Sequence, residues 1–595
     1  MRSFIGGIRE AAEQGDAKAQ FRLGAIYENG RDVPQDMTEA IKWYRMAAQE
    51  GDAKAQLRLG SIYSNGRDVL QDEEAAVKWY RMAADQGDAV AQSKLGQMYE
   101  QGTGVSQDFH EAAKWYRKAA DQGFAFAQSK LGMMYDDGRG VPQDDKEAVS
   151  WYRMAAQQGN VFSQCKLGMK YTNGRGVPQD DKEAVNWYRK AAEQGDPIAQ
   201  YSLGWMYTKE RGVSMDYNEA VKWYRMAADQ GNSVAQYNLG LLYANGRGVS
   251  HDDKEAVKWY TMAADQGHSI AQSNLGWMYE QGRGVPQDNK KAVDLYSKAA
   301  YQGNARAQYN LGRMYEQGLG VSQDDDEAVK WYRKAADLED IRALYSLGGR
   351  HEQGKGVLQD YAEAVRLYRK AADHGSAKAS FRLGCMYVQG IGVSQDYREA
   401  VNCFILAADR GYAKALYHLG FACEQGRGVN RDYIEAERWY LKAADQGSAK
   451  ALFRLAWIYE QGFCVPQDGT DEMTWYRQAA EQVNAKALLR LDWMLEQGAG
   501  VPKDDVEAVN WYRQAAEQGE ALAQFNLGLM YAHGRGVPQD DKDAAKWYRL
   551  AADQGETYAM GNLGRMYEEG KGVPQDYQEA TKWYRRAAES LMLDE

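Results

Sequence analysis

Apolar residues in this chain fall at helical intervals, and the whole pattern of apolar and polar positions recurs every 36 residues. The dipeptide Leu-Gly marks the period: it stands at Leu23-Gly24, Leu59-Gly60 and Leu95-Gly96 and reaches Leu563-Gly564 without an insertion or deletion. All sixteen Leu are present, and Gly fails only at Ala456 and Asp492. A fixed period of this size means a tandem array in which each repeat is one supersecondary unit. With register 0 set at Asp16, repeats 1 to 16 start at residues 16, 52 and onward to 556.

Registers 1 to 13 predict a first helix. In Ala17 to Asn29, the residues Ala19, Leu23 and Tyr27 recur at intervals of four and make one apolar stripe. Registers 14 to 20 predict a loop, which reads Gly-Arg-Gly-Val-Pro-Gln-Asp at 174–180. Register 20 is Asp in all sixteen repeats and register 23 is Glu in twelve. Asp-x-x-Glu ahead of an apolar run signals a helix start: the Asp accepts orphan amides of the first turn, and the Glu is expected to reach back to the cap amide. The second helix, as in Met37 to Gln49, interleaves Ala40, Trp43, Tyr44, Ala47 and Ala48. A left-handed Gly at register 35 ends it, and the next residue caps the following helix. Neither helix can bury its stripe alone, so the repeats must stack.

Gly6 to Gly15 ends in Ala-Ala-x-Gln-Gly, the close of a second helix, so residues 1–15 read as an N-terminal half-repeat that caps the array. The repeats span 16–591, and 592–595 form a tail. Ser590-Leu591-Met592-Leu593 replaces the terminal Gly and cap, which predicts that the last helix runs on.

Composition narrows the function classes. Hydrophobic residues at 44% and aromatics at 12% exclude disorder, and 73 Lys+Arg against 84 Asp+Glu give a net charge of −11. That balance disfavours a broad grip on nucleic acid or on an anionic membrane surface. No window approaches eighteen apolar residues, so neither a membrane span nor a secretory signal is expected. Five Cys without a C-x-x-C indicate a reduced, cytoplasmic interior rather than a disulfide framework.

The succession of Leu-Gly, Met-Tyr, Gly-x-Gly-Val, Asp-x-x-Glu-Ala, Trp-Tyr, Ala-Ala and Gly resembles the Sel-1-like repeat, a relative of the tetratricopeptide repeat, over residues 16 to about 591. The resemblance implies an all-α fold, a right-handed α/α superhelical solenoid of sixteen 36-residue helix-turn-helix repeats, with first helices lining a concave wall. It also implies an adaptor or scaffold for other proteins, though such solenoids host many tasks. One branch of the family carries a disulfide between successive repeats and looks like secreted β-lactam-binding factors. The equivalent pairs here, Ala48 with Gln56 and Ala84 with Gln92, are not Cys.

Residues that could carry chemistry do not assemble. A Gly-x-Gly loop can cradle phosphate, but one that recurs in almost every repeat reads as a structural turn. Seven His are scattered with no pair four apart on a helix, so metal-ligand spacing is absent and no metal or cofactor is expected. The recurrent carboxylates are helix caps, and no pair suits acid and base work. Cys403 and Cys423 replace the usual Trp and Tyr in adjacent repeats, which reads as coincidence before a disulfide.

Repeated positions serve stacking, so partner recognition must sit where repeats differ, at registers 2, 5, 6 and 9 of the first helix. Thirteen of the 17 Trp occupy register 27 as packing residues; the other four, Trp205, Trp277, Trp457 and Trp493, occupy register 9, where other repeats tolerate Ser61, Gln97 or Arg313. Exposed Trp on a concave wall is a binding signal, and packing against a neighbouring helix is the alternative. Register 2 is apolar from Val90 to Ile270 and basic from Arg306 to Lys486. Repeats 6 to 8 therefore present Ile198, Tyr201, Trp205, Tyr237, Leu241 and Trp277 as a greasy groove. Repeats 11 to 14 present Lys450, Arg454, Trp457, Arg490 and Trp493 as a pocket for an acidic, partly apolar segment, with acidic residues such as Glu460 placed to screen it.

These features describe a monomeric, non-enzymatic scaffold that binds protein or peptide segments. The alternatives are an exported factor engaging a host or envelope component and, more remotely, a β-lactam-hydrolysing repeat protein. Weak joints are expected after repeats 9 and 13, where Glu339 and Val483 replace the register-35 Gly, and near Glu472, Asp492 and Leu495.

Overall fold

The computed structural model describes residues 2–30, 33–66, 70–464, 472–481, 487, 490, 491, 494 and 504–593. Helices occupy the registers that the pattern predicts. In repeat 5 they are Val161–Asn173 and Asp181–Glu193, and in repeat 6 Pro197–Lys209 and Tyr217–Asp229, each of 13 residues. No strand occurs among the described residues. The substantial helix packings there join neighbours in sequence, which makes the fold a solenoid of helical hairpins. The chain divides into two compact bodies, residues 1–304 and 305–595.

Among the described residues the Asp at register 20 caps second helices, and first helices are capped by whichever Asp, Asn, Ser or His stands at register 0, whereas Phe124, Tyr412, Glu520 and Glu556 give no side-chain cap. Asp180 Oδ1 accepts from the amides of Lys182 and Glu183 at 3.0 Å each, and Asp196 Oδ1 accepts from Ala199 at 2.7 Å. The reciprocal half of the capping box is not formed. The Asp180 amide donates to the Tyr171 carbonyl at 3.0 Å, across the loop. The register-23 carboxylate turns along its own helix instead, as where Glu219 accepts from Trp223 Nε1 at 3.1 Å. The cap amide is thus satisfied by the preceding helix, and the Glu turns to a side chain of its own helix, to the packing Trp at Glu147 and Glu219 and to a Lys at Glu111 and Glu255.

The Gly-x-Gly loop is structural. Gly174 closes the first helix at φ 67°, and Gly176 sits at φ 75° with no room for a Cβ against the Asp145 carbonyl of the preceding repeat. Backbone meets backbone there, so this glycine is a stacking contact. Among the described residues two non-Gly residues take up left-handed conformations, Glu210 at φ 55° and Glu339 at φ 62°. Glu339 holds the strained joint expected after repeat 9, while Val483, Asp492 and Leu495 lie outside the described residues. A left-handed Glu costs on the order of 1 kcal/mol relative to Gly. Glu339→Gly should therefore raise local stability by about 1 kcal/mol, read as slower hydrogen exchange in the helix Ile341–Gln353.

The core is built from the repeated small and aromatic positions. Leu203 is fully buried, and a Cβ on Gly204 would stand 2.8 Å from Cδ1 of Tyr224, so the Leu-Gly marker records where the tyrosine ring presses on the first helix. A buried polar ladder crosses the repeats of the first body. Gln200 Nε2 donates to the Ala192 carbonyl of the preceding repeat at 3.1 Å, and Gln200 Oε1 accepts from Gln230 at 2.8 Å. In the second body this ladder lapses at Leu344, Ser380, Leu416 and Leu452. The helix Arg2–Glu13 packs Ala12 on Ala19, Leu23 and Trp43, and the last helix runs on from Tyr577 to Leu593, 17 residues.

Candidate partner-binding face

Registers 2, 5, 6 and 9 are three or four apart and share one face of each first helix. In the first body the register-2 residues Val90, Phe126, Phe162, Ile198, Val234 and Ile270 are all exposed, between 37% for Val234 and 47% for Ile198. Six consecutive repeats thus present an unburied apolar side chain at the same point of the first turn. Next to it, the register-5 rings are half-buried lids over the packing tyrosines. Tyr201 stacks on Tyr224 with centroids 5.9 Å apart, and Tyr237 lies 6.0 Å from Tyr260 and 5.0 Å from the His268 ring. Burial raises the Tyr201 hydroxyl, which stays protonated.

The register-9 tryptophans Trp205 and Trp277 are neither free nor fully core. Trp205 is half-buried and packs on the cores of its own and the following repeat, and Trp277 packs likewise on the core beside it. A guanidinium sits over each ring, Arg211 at 5.4 Å and Arg283 at 5.2 Å. Asp181 of the preceding repeat fixes Arg211 with bonds of 2.9 and 2.6 Å, and Asp253 fixes Arg283 with 3.0 and 2.9 Å. Leu241 occupies the same register, also half-buried. Trp205→Ala should therefore cost about 1–2 kcal/mol of stability, less than the 3–5 typical of a fully buried Trp. Denaturant unfolding with hydrogen exchange across Pro197–Lys209 checks it.

The later block differs from the sequence expectation. Lys450 is exposed, as expected. Arg454 and Arg490, in contrast, are not open cations. Arg454 is bound by the buried Glu424 of the preceding repeat, with Nε to Oε2 at 2.9 Å, and Arg490 is bound by Glu460. Each of these carboxylates also accepts from the packing tyrosine of its own repeat, Tyr440 at 2.8 Å and Tyr476 at 2.7 Å. The same staple of tyrosine, register-12 Glu and next-repeat cation joins Tyr116, Glu100 and Lys130, and Tyr368, Glu352 and Arg382. Arg454 and Arg490 hold repeats together, because the carboxylate that neutralises each lies 30 residues earlier. Trp457 is half-buried beneath Arg454 at 4.6 Å and beside Phe463 at 5.8 Å. Trp493 lies outside the described residues.

The staple also sets a pH dependence. Burial opposes ionisation of Glu352, but hydrogen bonds from Arg382 and Tyr368 outweigh it and hold the carboxyl below its ordinary 4.5. With the folded value depressed, the pair stabilises the protein above the unfolded-state value, and the contribution is lost as pH falls through the lower folded one. Melting temperatures of the wild type and of Glu352→Gln should differ at neutral pH and converge as pH falls well below the ordinary carboxyl value.

Two cations escaped sequence reasoning. Lys170 and Arg350 replace the usual register-10 Met and are buried. Lys170 pairs with Asp145 at 2.5 Å and with Asp136, and Arg350 pairs with Asp325 at 2.8 Å and with Glu316. Among the described residues no cluster of His, Cys, Asp and Glu could hold a metal ion. The five cysteines are free thiols, and burial pushes Cys165 up to about 12 and Cys403, Cys423 and Cys464 to about 11, so these four are not thiolates at neutral pH. No helix among the described residues is long and apolar enough to cross a membrane.

The family model of the Sel1 repeat matches sixteen successive blocks, from 17–52 to 557–590. Among solved structures, a protective antigen present in uropathogenic Escherichia coli strains and displaying an SLR fold is 36% identical; the match covers 77% of this chain and 97% of that one, with a TM-score of 0.65. A Sel1 repeat protein from Oxalobacter formigenes is 38% identical, with 52% of this chain and 91% of that one covered and a TM-score of 0.43. No curated protein matches the sequence. Proteins built from these repeats generally mediate protein–protein interaction. With sixteen contiguous matches and hairpins of the same fold as the antigen, the chain belongs to the Sel1 repeat family.

Proposed function

We propose that this chain is a monomeric, non-enzymatic scaffold that binds protein segments along the first-helix face of its first body. The single observation that carries this is the row of six exposed apolar residues from Val90 to Ile270, one per repeat. Each keeps enough free surface that covering it is worth on the order of 1 kcal/mol, so affinity accumulates along the row rather than at one point. Tyr201, Trp205, Tyr237, Leu241 and Trp277 supply the half-buried floor on which a partner rests, and they lose little freedom on binding because they are already packed. An enzymatic role has no comparable support: the buried cations are closed into ion pairs and the buried thiols are protonated. Affinity purification of the full chain, with partners identified by mass spectrometry, tests the proposal. Partners held by apolar contact stay bound when salt is raised, whereas release by moderate salt would count against the row.

A second proposal concerns location. The 36%-identical antigen favours an exported member over the cytoplasmic placement expected from composition. Fractionation of producing cells with an antibody against the chain separates the two, since an exported protein leaves the cytoplasmic fraction.

A further inference from the structure

The junction of repeats 11 and 12 lacks the polar staple found at its neighbours. It is formed by the helices Ala377–Gln389, Tyr397–Asp409 and Ala413–Gln425. Val388 stands at the register where Glu352 and Glu424 bind the next repeat's arginine, and Phe404 is the one residue of its register that is not Tyr. His418 takes the place of the cation. Its ring lies 5.1 Å from Phe404 and 5.2 Å from Phe381, and burial lowers its proton affinity, so it joins the apolar wall as a neutral ring. With hydroxyl, carboxylate and guanidinium all gone, an open apolar cavity of about 290 Å³ remains, lined by Val388, Val401, Phe404, Tyr417, Phe421 and Ala422.

Charge gathers at the edges of this cavity. Tyr397 occupies the register at which Asp145, Asp181 and Asp253 grip the following repeat's arginine. Arg427, left without that carboxylate, lies over the rings of Tyr397 at 5.6 Å and Phe421 at 5.9 Å. Beyond the wall made by Tyr417 and His418 is a second cleft of about 520 Å³ holding Lys414 and Lys450. Arg427, Lys414 and Lys450 are exposed, and none has an ion pair among the described residues, whereas Arg382 and Arg454 on either side are bound to Glu352 and Glu424. In a chain of net charge −11, three unmatched cations around one apolar hole complement an apolar group flanked by carboxylates.

We propose that this junction is a docking pocket for an acidic peptide segment, which seats one large apolar side chain between Phe404 and Phe421 and sets flanking carboxylates against Arg427 on one side and Lys414 and Lys450 on the other. The proposal rests on the protein-binding function above and adds a second site of different chemistry in the second body. It keeps Lys450 from the sequence expectation and replaces Arg454 and Arg490 by Arg427 and Lys414.

The test pans the full chain against a phage-displayed library of random peptides, and affinities of the recovered peptides are measured by fluorescence anisotropy. The comparison variant carries Val388→Glu, Tyr397→Asp and Phe404→Tyr, each a residue that other repeats place at that register and therefore compatible with the fold. The wild type should enrich peptides in which an aromatic or branched apolar residue has Asp or Glu close on both sides. The triple substitution should weaken them by at least about tenfold with the melting temperature unchanged. Lys414→Gln with Lys450→Gln, which touches no core residue, should weaken them about threefold or more and reduce the effect of salt. Recovered peptides that lack carboxylates, an affinity that the triple variant leaves unchanged, or no enrichment at all would overturn the pocket. Displacement of the peptide by an equal concentration of N-acetylphenylalanine would overturn it in favour of a small aromatic acid. None of these results bears on the Val90–Ile270 row, whose own test uses an intact partner protein.

Discussion

Glu424→Ala should loosen repeats 12 and 13 by about 3 kcal/mol, the lower end of the range for breaking a buried ion pair. Glu424 keeps only 1% of its side chain exposed and accepts at 2.8 Å from Tyr440 and at 2.9 Å from Arg454. Removing it strands the Tyr440 hydroxyl and leaves a guanidinium, itself only 20% exposed, facing a void. The same substitution at Glu28 should cost less than about 1 kcal/mol, because its partner Arg58 is 45% exposed and water replaces the lost contact. Hydrogen exchange across Tyr433–Asp445 and Ala449–Glu460 reads the difference. Opening should become roughly 100-fold more frequent there and stay nearly unchanged around Glu28. Arg454→Ala should reproduce the loosening, and a variant that leaves exchange untouched would return Arg454 to the role of an open cation.

Placing charge on the apolar row should abolish partner binding without harming the fold. Phe162→Asp, Ile198→Asp and Ile270→Asp together should weaken the partner by more than about 100-fold, since each puts a carboxylate where apolar surface is covered. All three positions are exposed at 43 to 47%, so each should shift stability by no more than about 0.5 kcal/mol. Titration of the purified partner against both chains, with melting curves as control, checks both halves. Trp205→Ala makes the useful contrast, because it should lower stability and binding together.

The helix boundaries, the register-20 cap and the packing tyrosine were legible because the cap recurs in all sixteen repeats and the tyrosine in all but the one with Phe404, and recurrence averages away local accident. Positions that depend on a contact across repeats were less so. The capping Glu was assigned to the cap amide because the motif is local, whereas that amide bonds the Tyr carbonyl nine residues back, as Asp180 does with Tyr171. Arg454 and Arg490 read as a basic face because the carboxylate that binds each lies in the preceding repeat, 30 residues earlier. A partial signal existed: register-12 Glu is followed in the next repeat by a register-6 cation at Glu28 and Arg58, Glu100 and Lys130, and Glu352 and Arg382, and Thr172 and Thr208 by Ser202 and Asn238, although Glu280 and Glu316 are followed by Asn310 and Ser346. Lys170 and Arg350 carried no such sign, because a cation at a Met register reads as exposed until its two carboxylates are seen. Trp205, Trp277 and Trp457 fall between the two alternatives, since an indole is large enough to pack on the core with one edge and keep the other in solvent.

Site-specific photocrosslinking distinguishes the first-helix face from the second helix as the seat of the partner. A benzoylphenylalanine introduced at Ile198 or Ile270, on the first-helix face, should crosslink the purified partner, and one at the exposed Lys222 of the second helix Tyr217–Asp229 should not. Crosslinks from Lys222 with none from Ile198 and Ile270 would place the partner on the other helix and rule out the apolar row as its seat.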